Sequence, residues 1–257
     1  ARIHRNHVIR NVLITLTCAV LAAWVLQSTV FTVRAVQVTG LTSISQEQAL
    51  ISAGIRLGDS ILAIDENAVA QGVNNNRYLQ FVRLRRDWPD GVTLFVKERE
   101  VGAYYDYCGV RYMLADDGMV LEQTTDVDSE VDLPALRGLN NSNIALGRTI
   151  TSKTTGQMAA YTAVIGEMRL QDCLSIITEL NVANVDNIYL VTVDGYQVVI
   201  GGARDLRAKI GAMRAVREKL VEMGKSQGKV DVTEPLTPMY QPDDGGVTNA
   251  AKAAEDV

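Results

Sequence analysis

The chain has 257 residues, 30 acidic against 25 basic side chains and 47% apolar residues, enough for about two compact domains of globular type. The formal net charge of −5, more acidic still once Arg2, Arg5, Arg10 and Arg34 are set aside, argues against a nucleic-acid partner, which calls for a basic face.

Val12 to Phe31 carries no charged residue. As a helix, a run of this length reaches about 30 Å, the thickness of a membrane's hydrocarbon core. Polar residues such as Thr15, Thr17, Gln27 and Ser28 form no stripe, and Leu26, Gln27 and Ser28 do not suit a signal-peptide cleavage site. The spacing therefore predicts a membrane-spanning helix over 12–31. Arg2, Arg5 and Arg10 precede it and only Arg34 follows closely, which predicts a single-pass cell-membrane protein with a cytoplasmic segment 1–11 and its bulk outside. Of the three cysteines, Cys18 falls in this run, while Cys108 and Cys173 lie beyond it, able to bridge or to remain as two thiols.

Beyond the apolar run, "VRAVQVTG" alternates as a half-buried strand. In "SISQEQALISAGI" Ser45 caps a helix, Gln48 stands in capping-box position and Gly54 marks the stop. A second helix covers Asp65 to Gly72, ended by "NNNR". "LQFVRLRR" and "VTLFVKERE" alternate as strands about the tight reversal "DWPDG". The stretch "VGAYYDYCGVRYMLADDGMVLEQ" reads as two or three short strands, with Tyr105 and Tyr107 on one face and Tyr104 on the other. Polar loops follow to Ile150, then a helix from Gly156 to Leu170. "LSIITELN", "NIYLVTVDG" and "YQVVIGG" read as successive strands, the last two a hairpin about Asp194 and Gly195. From Arg204 to Met223 the apolar residues recur three or four apart, one face of an amphipathic helix stopped by Gly224. "GKVDVTEPLTPMYQP" is then a short strand, pairing on one side with "YQVVIGG". Pro235 and Pro238 block a return on its other side, so that edge is expected to stay open. Residues 242–257 are expected to be disordered.

Little in the sequence points to catalysis. The two histidines, His4 and His7, both precede the apolar run, which leaves the rest of the chain without an imidazole for Ser-His-Asp or Cys-His chemistry and makes a zinc site unfavourable. No phosphate loop or nucleophile elbow occurs. Ser226 and Lys229 match the spacing of penicillin-interacting enzymes, but Gly224 and Gly228 place them at a helix end, not a helix start. The acid-rich "DDGMVLEQTTDVDSEVD" fails the calcium-loop pattern at Val131 and Arg137 and reads as a solvated, mobile connection. The residues thus predict no enzyme, no metal and no cofactor.

Taken in order, "VQVTG", "LGDSI", "RRDWPDGVTLFVKERE", "DDGMVL", "VDGYQVVIGG" and "GKVDVTEPLTPMYQP" resemble the FtsQ/DivIB family of bacterial division proteins. The resemblance implies an α+β fold in which an N-terminal transmembrane helix leads into a POTRA domain (β-α-α-β-β) over 32–101. A mixed β domain with a C-terminal edge strand follows over 102–241. Glu100 stands where a proline is common in the family. The function implied is a non-enzymatic divisome scaffold at the septum that binds the coiled-coil proteins FtsB/DivIC and FtsL and links them to the septal peptidoglycan synthase complex. Partner contacts are implied at Lys229, Val230, Asp231, Val232 and Thr233 on the last strand and at Tyr240 beyond it. Such contacts suit β-strand addition, in which main-chain bonds give affinity and alternate side chains give specificity. Two other readings stay open: a POTRA-type chaperone associated with secretion, and an anchored envelope hydrolase using paired carboxylates.

Overall fold

The computed structural model describes residues 12–19, 31–225 and 227–243, and the chain divides into two compact units after Arg99. Residues 12–19 are helical, a length of about 12 Å against the roughly 30 Å that a crossing needs. Among the described residues no helix is long and apolar enough to cross a membrane. That finding corrects the expected transmembrane helix over 12–31 and the single-pass membrane location that rested on it. The segment 1–11, residues 20–30 of the apolar run, Ser226 and the tail from 244 lie outside the described residues.

The first unit is built from β1 (Ala35–Thr39), α1 (Gln46–Ala53), a single 3-10 turn (Ile61–Ala63), α2 (Glu66–Asn75), β2 (Leu79–Asp87) and β3 (Gly91–Glu98). The capping signals act as their chemistry dictates. Ser45 accepts the Gln48 N–H at 3.3 Å, Gly54 ends α1 with φ 67°, and Asp65 accepts the Asn67 N–H at 2.9 Å at the start of α2. The strands form one sheet in the order β1-β3-β2, with β1 parallel and β2 antiparallel to β3. Alternation along β3 sends Val92, Leu94 and Val96 into a core shared with Ala49, Val69 and Val73 of the helices, each large side chain stabilising by about 1.5–3 kcal/mol. Thr93, Phe95 and Lys97 consequently turn to the opposite face.

In the second unit β4 (Val101–Tyr107), β5 (Val110–Ala115) and β6 (Val120–Thr124) form a meander. Three short strands, β7 (Ala135–Arg137), β8 (Asn141–Asn143) and β9 (Thr151–Ser152), precede α3 (Gln157–Leu170) and a 3-10 turn (Leu174–Ile176). Then come β10 (Ile177–Asn181), β11 (Ile188–Thr192), β12 (Tyr196–Gly201), α4 (Leu206–Glu222), β13 (Gly228–Asp231) and β14 (Met239–Pro242). Nine of these strands make one sheet, ordered β14-β13-β12-β11-β10-β7-β4-β5-β6. The three residues of β7, parallel to both neighbours, join the meander to the rest. Both helices contribute to the sheet's core, α3 through Tyr161, Val164, Ile165 and Met168 and α4 through Ile210 and Met213.

Two polar side chains fix the connections. Gln157, 1% exposed, donates through Nε2 to the Gly138 and Val182 carbonyls and accepts the Asn140 N–H on Oε1. Arg111, 5% exposed, holds Asp106 bidentately at 2.8 and 3.2 Å and donates to the carbonyls of Ser129 and Val127, each at 2.6 Å. The acid-rich segment expected to be a solvated connection is therefore tied to β5 through its backbone. Its carboxylates did not signal this, because the partner base lies on an upstream strand. Cys108 is exposed and Cys173 buried, both as free thiols.

Candidate partner-binding edge

The residues implied as partner contacts lie at one end of the nine-stranded sheet. After α4 the chain returns beside β12, and β13 pairs parallel to it, Gln197 opposite Lys229 and Val198 opposite Val230. Val230 is 2% exposed and Val232 fully buried, so these two valines anchor the strand in the core. Val232 extends the ladder one step past β13, donating its N–H to the Val199 carbonyl at 2.9 Å. Thr233 then leaves the sheet. Its N–H and hydroxyl both donate to Asp231 Oδ1, at 2.9 and 2.6 Å, a local Asx-type turn.

The outer side of β13 is not open, contrary to the expectation from its prolines. Residues 234–237 turn, with the Thr237 N–H donating to the Glu234 carbonyl at 3.1 Å, and β14 runs back antiparallel, Lys229 opposite Gln241 and Asp231 opposite Met239. The correction has a simple physical cause. Proline removes a donor that a ladder needs but a turn does not, so Pro235 and Pro238 shape the reversal and do not forbid it. Tyr240 supplies the apolar contact that the tail's composition lacks. Its ring meets Tyr196 edge-on at 6.3 Å, the Lys225 ammonium lies 5.6 Å from its centre, and its hydroxyl donates to the Gln227 carbonyl at 2.9 Å. Gly228 makes room for it: with φ 134°, it has space for no Cβ, which would lie 2.7 Å from both the Tyr240 ring and the Gln241 carbonyl oxygen.

The register decides which groups face outward. In a parallel pair the N–H and C=O of one residue point to the same side, and successive residues alternate. Because Val232 turns to β12, so does Val230, whereas Lys229 and Asp231 turn to β14. Lys229–Gln241 and Asp231–Met239 are thus the bonded pairs, and Tyr240 directs its N–H and C=O away from the sheet. Pro242, the next outward residue, offers a carbonyl and no N–H. Among the described residues no strand lies beyond β14. The edge is short: one donor, at Tyr240, with acceptors beside it. Met239, 69% exposed, lies beside Tyr240 on this strand. The family resemblance named Tyr240, but the sequence announced neither β14 nor the roles of Tyr196, Lys225 and Gly228. The signal available was an aromatic two residues past a proline.

Elsewhere, among the described residues no group of three or more His, Cys, Asp or Glu could hold a metal ion.

The model of the POTRA domain, FtsQ-type, matches residues 31–99, the whole of the first sheet and its two helices. The cell division protein FtsQ of Geobacter sp. (strain M21) is 30% identical over 46% of this chain and 43% of its own length. FtsQ of Anaeromyxobacter sp. (strain K) is 24% identical over 77% of this chain and 66% of its own. The cell division protein DivIB of Clostridium botulinum (strain Hall) is 21% identical over 89% of each. The chain thus spans less than two thirds of the first two of these relatives, while the third aligns along nearly all of both chains. Similarity that starts in an FtsQ-type POTRA domain and continues through the second unit gives the resemblance read from six short stretches its basis: the chain is similar, along most of its length, to the FtsQ and DivIB cell division proteins of bacteria.

Proposed function

We propose that the chain is a non-enzymatic scaffold of the division machinery, with 32–101 serving as its POTRA module and 102–241 as its β domain. The β domain recruits FtsB/DivIC-like and FtsL-like coiled-coil proteins by strand addition and so couples division to septal peptidoglycan synthesis. The observation that carries this reading is the outward N–H and C=O of Tyr240 at the end of the nine-stranded sheet. Val230 and Val232 hold the supporting strand, Lys229 and Asp231 bond β14, Thr233 and Asp231 close the turn, and Tyr240 meets the incoming strand.

Amide hydrogen exchange on the chain with and without an FtsB/DivIC-like protein tests it. Protection is expected at Tyr240, whose amide is unbonded in the free chain. Protection at Lys229 and Asp231 with faster exchange along β14 would mean that the partner displaces β14 and binds β13 directly. Unchanged exchange along the whole edge at saturating partner would sink the proposal.

A further inference from the structure

The three-stranded sheet of the first unit has side chains bonded to backbone groups at both edges. On β2 the Phe81 N–H donates to Asn74 Oδ1 at 3.0 Å and the Leu84 N–H to Glu66 Oε1 at 3.3 Å, so side chains of α2 take two of the outward donors. On β1 the Val36 carbonyl accepts from Gln46 Nε2 at 3.0 Å. These caps blunt strand addition. The sheet face turned away from the helices remains. It carries Arg83 and Arg85 of β2 opposite Phe95 and Thr93 of β3, with Lys97 one alternate position further on. The Arg83 guanidinium lies 4.2 Å from the centre of the Phe95 ring and that of Arg85 5.7 Å from it. Arg85 also pairs with Asp87 at 2.7 Å while 57% exposed. Arg83 and Lys97 are exposed, and among the described residues the contact of the Arg83 guanidinium is with the Phe95 ring.

We propose that this face docks an acidic, extended segment of a partner protein. Charge complementarity selects the occupant: three cations are gathered on one sheet face of a chain whose net charge is −5. Spacing selects its conformation. Arg85, Arg83 and Lys97 stand at the register of Thr93, Phe95 and Lys97, successive alternate positions about 7 Å apart along the strand direction. Alternate side chains of an extended peptide repeat at the same interval, so acids two residues apart meet Arg83 and Lys97, flanked by Arg85 with its own partner Asp87. Held 4.2 Å from the centre of the Phe95 ring, the Arg83 guanidinium still has N–H groups to offer a carboxylate.

The test is a fluorescence-anisotropy titration of the whole chain with a labelled peptide of alternating Glu and Thr. An isomer with its Glu residues in one block and phosphatidylglycerol vesicles serve as comparisons. Binding is expected to favour the alternating peptide and to weaken as salt rises. Arg83→Ala should weaken it about threefold to fivefold, and Arg83→Glu with Lys97→Glu more than about thirtyfold. A single charge reversal at Arg204→Glu, in the other unit, should leave it unaltered. All sites are exposed, and an unchanged far-ultraviolet dichroism spectrum and Tm would show the variants folded. Equal binding of the block isomer, equal loss with Arg204→Glu, absence of binding, or binding to vesicles that the peptide does not compete away would each overturn the proposal.

Discussion

Val232 donates its backbone N–H to the carbonyl of Val199 across 2.9 Å, and that bond sets the alternation of everything outside it. A proline at 232 removes the donor at a fully buried position and crowds the neighbouring strand. Val232→Pro is therefore expected to cost about 3 kcal/mol. In urea unfolding this would appear as a lower midpoint at unchanged slope, and amide exchange would quicken first in β14, which depends on β13 for its own pairing. An unchanged midpoint would show that the ladder ends at Asp231.

Gly228 tests the same edge from the other side. A Cβ there meets the Tyr240 ring and the Gln241 carbonyl at 2.7 Å while φ stays at 134°. Gly228→Ala should destabilise by about 1–3 kcal/mol, with the loss concentrated in β14. Proton resonances of the Tyr240 ring should move towards their random-coil positions while those of Tyr161, buried in α3, stay fixed. Simultaneous movement of both rings would indicate a general loosening of the fold.

Much of the fold is legible in the sequence because its signals are local. Ser45, Gly54, Asp65 and the "DWPDG" reversal each specify a boundary through their own backbone chemistry. β7 gave no such signal. Its three residues are held as a strand by β4 and β10 on either side, and neither neighbour lies within 20 positions of it, so no periodicity could announce it. The candidate edge was half legible. Val230 and Val232 alternate visibly with polar neighbours, but β14 forms only because Tyr240 finds Tyr196 and Lys225, contacts that exist once α4 has crossed over. The transmembrane reading failed differently: it rested on the length of an uncharged run and on its flanks, and among the described residues the helix there is eight residues long.

Glu98 ties the strand end of the first unit to the loop before α1. Burial raises its pKa, but the N–H groups of Ile44, Ser43 and Thr42 outweigh it and hold the carboxyl below the ordinary 4.5, at contacts of 2.7 to 2.9 Å. A carboxylate with a depressed folded pKa stabilises fully above its unfolded value, and the contribution is lost as pH falls through the folded one. Urea midpoints of the wild-type chain should therefore fall on acidification below about 4.5, and Glu98→Gln should flatten that part of the profile. The site is open to solvent, so the effect is held to about 1 kcal/mol or less. A midpoint in Glu98→Gln that follows pH as the wild type does would assign the acid sensitivity to other carboxylates.

Through Arg111, β5 holds the acid-rich segment, and the contacts of this side chain differ in kind. The guanidinium lies 4.3 Å from the centre of the Tyr104 ring, pairs with Asp106, and donates to the Val127 and Ser129 carbonyls. Arg111→Met keeps the stem's packing but leaves two carbonyls and a carboxylate unmatched, for an expected cost of about 2–3 kcal/mol. Arg111→Lys keeps the charge, yet a single ammonium cannot reach the carboxylate and both carbonyls with the same planar fork, so most of the loss should remain. Amide exchange from 125 to 133 should rise in both variants, while Tyr161, donating to the Ala115 carbonyl at 2.9 Å on the other side of the strand, keeps β5 in place. If Arg111→Lys restored both stability and slow exchange, charge alone would hold the segment, and the geometry of the fork would be incidental.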